Sequence, residues 1–241
     1  MISCHRCDGG YNHSGCVKRI PVFSSLSAAE LENISSLITR KNYTDKEIVF
    51  REGDRLNSLY LVRYGNLKLV RYGADGEEII INLLSTGDFY GGDSLFSQST
   101  ARETGICTGE CGVCRISTQD LQNLIRIMPD LALKMLNYFS SYADYNRDLL
   151  KINSYSSALK KTALFLLNLS RRTGSLSLEI SQEDIAGSIF TAKETVNRKL
   201  ALLKKKGILL IKGHKKIQII DIEKLKSIEF IPSPESSFEA L

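Results

Sequence analysis

The chain has no apolar run longer than a few residues, which excludes a membrane-spanning helix of ordinary length. It also lacks the basic, apolar and small-residue succession of a secretory signal at its start, so a soluble, cytoplasmic protein is expected. Tryptophan is absent. Histidine is scarce, 3 in 241 residues. What is present is a 43% hydrophobic content, enough for a real core, in a length that suits two small domains. Net charge is +5 and unevenly placed. Residues 151–216 hold fourteen Lys and Arg against four acids, an excess of ten, so the remainder is acidic by five. A basic C-terminal part suits a phosphate backbone.

Residues 181–206 carry the sharpest motif. Ser181 followed by Asp184 opens a short helix whose apolar face is Ile185, Ala186 and Ile189. Phe190 and Thr191 break it, and Thr191 with Glu194 three residues on has the spacing of a capping box for a second helix. Val196, Leu200 and Leu203 stripe the inner side of that helix, while Lys193, Glu194, Asn197 and Arg198 fall on its outer, N-terminal part. This is a helix-turn-helix pattern, and those four side chains stand where base edges are read in the major groove of double-stranded DNA. The apolar runs 208–211 and 217–220, joined by Lys212-Gly213-His214-Lys215, predict a two-stranded wing.

Upstream, residues 1–19 are polar and rich in glycine and cysteine. Residues 21–40 suggest a short helix with Leu26, Leu31, Ile34 and Ile38 as its apolar positions. Short β-type runs follow at 48–50, 59–62, 67–70 and 78–84, with turns expected at 52–54, 64–66 and 74–76. Evenly spaced short strands argue a barrel or roll. From Thr118 the period becomes helical: a short helix ends near Met128-Pro129, and a long one runs from about Asp130 to Ile152. Leu133, Leu136, Tyr138, Phe139, Tyr142, Tyr145 and Leu149 give it an apolar stripe that packs on the roll or pairs with a second copy. Another helix is expected over 157–172. The expected architecture is α+β: a cysteine-rich segment (1–19), a β-roll of jelly-roll type (20–128), a dimerisation helix (129–152), a winged helix-turn-helix (153–232) and a flexible tail (233–241).

A β-roll, a long connecting helix and a winged helix-turn-helix, in that order, resemble the CRP/FNR family of bacterial transcription regulators. The strings Gly53-Asp54, Leu59-Tyr60-Leu61-Val62 and Gly65-Asn66-Leu67-Lys68 resemble the first half of the family's cyclic-nucleotide-binding-like roll. Residues 87–93 (GDFYGGD) are similar to its central glycine stretch, and 124–130 (LIRIMPD) to the start of its dimer helix. Asn168-Leu169-Ser170-Arg171-Arg172 resembles the oxygen-sensing, fumarate and nitrate reduction branch. The resemblance implies a homodimer on a two-fold DNA site, RNA polymerase as a partner, and base reading by Glu194 and Arg198. Lys193 and Asn197 stand where the family's branches differ, which leaves the half-site sequence open. Nucleotide-binding members carry a glycine-glutamate pair and an arginine-serine pair about ten residues later. Here these become Gly92-Asp93 and Ala101-Arg102-Glu103, which argues against an anionic nucleotide, because Arg102 is out of register and Glu103 repels a phosphate.

Six cysteines remain to be placed, and in a cytoplasmic protein clustered cysteines suggest metal or redox sites. The oxygen-sensing branch holds a [4Fe-4S] cluster with three N-terminal cysteines and one roll cysteine. The matching residues here are Cys4, Cys7, Cys16 and Cys114, four thiolates being the set a cubane needs. The spacing C-x2-C-x8-C exceeds the branch's best-known second gap by three residues, which Gly9-Gly10 can absorb. Three alternatives stay open: a zinc site on Cys4, Cys7, His13 and Cys16, a regulatory disulfide between tail and roll, and unligated thiols. Cys107 and Cys111 are not required by the four-ligand set. The rival from another class is a thiol oxidoreductase using Cys111-Gly112-Val113-Cys114; against it, such a pair normally opens a helix, and this one lies in a β-type segment, so no enzyme activity is expected.

Overall fold

The computed structural model describes residue 23 and residues 27–97, 99–213 and 215–228. Cys4, Cys7, His13, Cys16, the middle of the wing turn (His214) and the tail from Ser233 lie outside the described residues. The chain separates into two compact units that meet between Ser140 and Ser141.

The first unit opens with α1 (Ala28–Leu37). Its N-terminus is a true capping box: the Glu30 amide donates to Ser27 Oγ and the Ser27 amide donates to Glu30 Oε2 at 2.7 Å. Leu31 and Ile34 are its buried positions. Ile38, expected in the helical stripe, instead starts β1 (Ile38–Tyr43), where it pairs with Ile116. The β-branched pair Ile38-Thr39 prefers an extended chain, and the strand opposite supplies the ladder.

Next come β2 (Ile48–Phe50), β3 (Arg55–Leu56), β4 (Ser58–Tyr72), β5 (Glu78–Ser85), β6 (Phe89–Tyr90), a 3-10 turn (Gly92–Leu95), β7 (Ser99–Thr100) and β8 (Thr104–Ser117). The main sheet runs β1-β8-β4-β5, with β2 also on β8 and β6 on β4, while β3 pairs with β7. The long strands β4 and β8 form the central antiparallel ladder.

The turn expected at Tyr64-Gly65-Asn66 is not a turn. β4 runs straight through it, and the irregularity becomes a bulge in the β4–β8 ladder: Tyr64 faces Gly112 and Asn66 faces Thr108, so one residue opposes three. Glycine is required there, because φ is +74° and a Cβ would meet the Glu110 carbonyl oxygen at 2.2 Å.

Ser117 caps α2 (Thr118–Ile127), its hydroxyl accepting from the Asp120 amide, and α3 (Pro129–Ser154) follows with proline at its first position. Leu131 and Met135 on α3 complete a core with Phe23, Leu31, Ile34, Leu59, Leu61, Phe89, Ile116 and Leu121. Tyr138 stacks on Phe89 with ring centroids 4.1 Å apart and donates to Asp88 Oδ1. Each such buried apolar side chain contributes about 1.5–3 kcal/mol.

The second unit takes the rest of α3. There Tyr145, Leu149 and Ile152 are buried, and Asn168 donates to the Tyr145 carbonyl at 3.3 Å. The apolar stripe expected on this helix therefore divides. At 100° per residue Tyr138, Tyr145 and Leu149 share one face, Tyr138 half-buried and the other two buried, whereas Leu133, Leu136 and Leu150 share another. That second face is open, its leucines 60%, 57% and 74% exposed.

The unit continues with α4 (Ala158–Thr173), capped by Ser157 and stopped by Gly174 in the left-handed region, then β9 (Ser177–Glu179), α5 (Gln182–Ser188), α6 (Lys193–Lys205), β10 (Leu209–Lys212), β11 (Lys216–Ile219) and α7 (Ile222–Ser227). The wing has three strands, not two: β9 joins β11, with Leu178 buried opposite Ile217. A three-residue strand beside a polar linker has no alternation long enough to announce itself. No helix of the described residues is long and apolar enough to cross a membrane.

Candidate nucleic-acid interface and thiol sites

The helix-turn-helix is built as local chemistry dictates, with one exception. Ser181 caps α5: its oxygen accepts from the Asp184 amide at 3.0 Å and its hydroxyl donates to Asp184 Oδ2 at 2.6 Å. Ile185 and Ile189 are fully buried. Phe190 turns the chain with φ +46°, in the left-handed region. The expected capping box at Thr191 and Glu194 does not form. Thr191 spends its hydroxyl on the Ile189 carbonyl (3.1 Å), closing the end of α5, and α6 starts from Ala192 without a side-chain cap. The competing acceptor two residues back is what a sequence pattern cannot weigh.

Val196, Leu200 and Leu203 are fully buried and fix α6 by its inner face. Glu194 and Arg198 are exposed on the outer side, near its N-terminus. Lys193 is exposed but tied to Glu183 of α5 at 3.3 Å, a partner ten residues away that no local pattern indicates. Asn197 is half-buried, and its Oδ1 is enclosed without a hydrogen-bond partner, so only its amide nitrogen remains to face outward. Lys204 and Lys205 occupy the last turn, where the helix dipole favours cations. The wing adds Lys212 opposite Lys216.

Of the four cysteines proposed as ligands, only Cys114 is described. It sits near the C-terminal end of β8, opposite Leu61 on one side and Arg40 on the other. Its side chain is buried in the cluster that also contains Phe23, Leu31, Ile34 and Ile38. The thiol thus borders the same core as Phe23, seven residues after Cys16. Cys107 and Cys111 belong to a different cluster, with Tyr43 and Val113. Strand alternation puts Cys111 and Val113 on one face of β8 and Cys114 on the other. The pair Cys111–Cys114 is therefore split between two faces of the strand, against the redox motif that an oxidoreductase would use. The Cys111 thiol donates to Cys107, which draws Cys107 below the usual thiol range against the effect of its burial, and raises Cys111 together with its own burial.

Aromatic rings pack together in the roll, around Phe50. Phe50 stacks on Tyr90 at 4.5 Å and lies 5.0 Å from Tyr60. Burial, and a hydrogen bond given to Glu103 at 2.7 Å, push the Tyr90 hydroxyl far above its ordinary pKa. Phe139 leaves no room for a side chain at Gly92.

With this geometry in hand, likeness to known proteins becomes informative. Residues 40–127 match the cyclic nucleotide-binding domain family, and residues 160–228 match the Crp-like helix-turn-helix domain family. The chain is 30% identical over 202 residues to the anaerobic regulatory protein of Pasteurella multocida (strain Pm70), covering 78% of this chain and 72% of that one. It is equally similar to the fumarate and nitrate reduction regulatory protein of Escherichia coli (strain K12), with 78% of each chain covered. Electron transport regulator A of Shewanella oneidensis (strain MR-1) is 29% identical over 237 residues, 93% of this chain and 89% of the relative. Among solved structures, FixK2 from Bradyrhizobium japonicum shares the fold with a TM-score of 0.70 at 22% identity, covering 81% of this chain and 99% of that one. Identity of this degree, carried across three quarters of both chains and through both units, goes beyond a shared fold and makes this protein a DNA-binding transcription regulator of the CRP/FNR family.

Proposed function

We propose that the protein is a homodimeric regulator that senses oxygen through a [4Fe-4S] cluster held by Cys4, Cys7, Cys16 and Cys114. The observation that carries this reading is the place of Cys114: a buried thiol on β8, in the same side-chain cluster as Phe23, just beyond the cysteine-rich segment. Seven residues of extended chain reach about 23 Å, ample to bring Cys16 to that thiol. Four thiolates, and no third metal-binding side chain beside Cys114 among the described residues, suit a cluster completed from the tail. When bound, the cluster supplies an oxygen-labile tie between tail and roll.

The chain's own residues would then do the rest. Cys114 anchors that tie to β8, next to α1 and to the first half of α3. The open face of α3, Leu133, Leu136 and Leu150, meets its copy across a two-fold. Arg198 forks onto the O6 and N7 of guanine, and Glu194 accepts from the cytosine amino group. Lys193, held by Glu183, and Asn197, through its amide nitrogen, complete the readout. Lys204 and the wing lysines meet phosphates.

Protein prepared without oxygen is expected to be brown and to contain about four iron atoms per chain. Cys114→Ala should lose both colour and iron. Cys107→Ala, an equally buried change on the same strand, should keep them and so controls for packing. A colourless, iron-free wild type after reconstitution, or one that holds zinc instead, would overturn the cluster reading.

A further inference from the structure

The four-ligand set leaves Cys107 and Cys111 without a role. In a regular strand, residues four apart stand about 13 Å from each other, too far for any joint chemistry. β8 is not regular there. Thr108 and Gly112 face Asn66 and Tyr64, which are only two residues apart on β4, so the bulge folds two extra residues out of line. Cys107 and Cys111 precede those two anchor points by one residue each. They are drawn to roughly one two-residue step, about 6–7 Å, within the Cα separation of about 4.4–6.8 Å that a disulfide accepts.

The side chains agree with the backbone. Both thiols lie in one cluster with Tyr43 and Val113, and both are almost wholly buried. Cys107 Sγ stands 3.1 Å from the carbonyl oxygen of Gly109, at the heart of the bulge. The turn before β2 holds this strand in place: the Cys107 amide donates to the Glu47 carbonyl and its carbonyl accepts from the Lys46 amide, each at 2.9 Å, while the Gly109 amide donates to Asp45. Two thiols are thus held side by side in an apolar enclosure, with nothing else in their cluster that binds metal.

We propose that Cys107 and Cys111 form a reversible dithiol–disulfide site inside the roll, oxidised by hydrogen peroxide and separate from the Cys114 ligand set. Enclosure excludes bulky oxidants such as protein disulfides, and peroxide is small. The Cys107 thiolate attacks one peroxide oxygen; the O–O bond breaks, giving a sulfenic acid and hydroxide. The Cys111 sulfur then attacks the sulfenic sulfur; the S–S bond forms, the S–O bond breaks, and the released hydroxide and the thiol protons leave as water. In sum two thiols are oxidised and one peroxide is reduced to two waters. A small dithiol reverses the change.

The test uses full-length Cys114→Ser protein, reduced, treated with hydrogen peroxide, alkylated after denaturation and cut with trypsin. The fragment Glu103–Arg115 then contains only the two cysteines in question. It should lose two hydrogens, take up no alkyl group, and regain both thiols with dithiothreitol. Adding Cys111→Ser should abolish the disulfide and leave oxygenated Cys107. Two fully alkylated thiols, or a disulfide joining either one to Cys4, Cys7 or Cys16, would overturn the proposal. In the otherwise wild-type chain, Cys107→Ser with Cys111→Ser should keep the iron content of the parent; loss of iron would place the pair in the cluster set and overturn the separation. An iron-free parent would sink the cluster reading without touching the disulfide result.

Discussion

Replacing Gly65 by alanine tests the bulge on which the thiol geometry depends. Two costs separate cleanly if Gly53→Ala is measured beside it. Both glycines have positive φ, +74° and +87°, but an added methyl at Gly53 meets nothing within 4 Å. A left-handed φ costs an L-residue about 1–2 kcal/mol, and the stiffer unfolded chain returns about 0.4–1 kcal/mol. Gly53→Ala should therefore lose about 1 kcal/mol. At Gly65 the methyl would also stand 2.2 Å from the Glu110 carbonyl oxygen and 2.9 Å from the Cys111 Cα. Both are backbone atoms pinned by the ladder, and overpacking of this kind adds about 1–3 kcal/mol. The expected total is about 2–4 kcal/mol, a fall of roughly 8 °C or more in the melting temperature of the first unit. With no tryptophan in the chain, calorimetry or far-ultraviolet circular dichroism is the assay. Equal shifts for the two variants would mean that Glu110 and Cys111 do not lie against Gly65, and the paired thiols would lose their geometric basis.

Arg198→Ala should weaken binding to a specific site by about 1–3 kcal/mol and barely affect random DNA, whereas Lys204→Ala should weaken both alike; fluorescence anisotropy on the two DNAs at one salt concentration separates them, and a uniform loss for Arg198→Ala would refute base reading. Asn146 is an uncharged, half-buried side chain on α3, the proposed dimer helix; cluster-free protein is therefore expected to remain largely dimeric, and Asn146→Asp, which sets two partly buried carboxylates near the two-fold, to raise the dimer dissociation constant about tenfold or more. Sedimentation at several concentrations decides this, and a monomeric metal-free wild type would contradict it.

Much of this molecule was legible in the sequence because periodicity reports local structure well. The helices over 118–127, 129–154 and 158–173, the helix-turn-helix and the wing hairpin all carry strong patterns over enough residues. The failures share a cause: a competing partner that the local pattern does not contain. Tyr64-Gly65-Asn66 has turn chemistry, but the β8 ladder keeps it extended. Thr191 has cap chemistry, but the Ile189 carbonyl takes its hydroxyl. The stripe on α3 mixes residues of two faces, because the aromatic ones answer to partners in the roll and beside α4. For the sites, residue types and spacing named the outer positions of α6, but nothing local foretold that Glu183 holds Lys193 or that Asn197 turns its oxygen inward.

The core of the first unit has a consequence for how the protein is made. It joins Phe23 and α1 to Leu131, Met135, Tyr138 and Phe139, so it cannot close until nearly the whole of residues 23–139 has been synthesised. At ribosomal rates of about 5–20 residues per second, more than a hundred residues take on the order of ten seconds. Throughout that interval Cys4, Cys7 and Cys16 have been translated while the strand that carries Cys114 is still unmade or unpacked. Until then the Cys114 thiol is open to solvent, to metal donors and to oxidants in a way the finished roll forbids. Any reagent directed at Cys114 meets its easiest target on the ribosome, and the last turns of the roll's share of α3 are the latch that ends the opportunity.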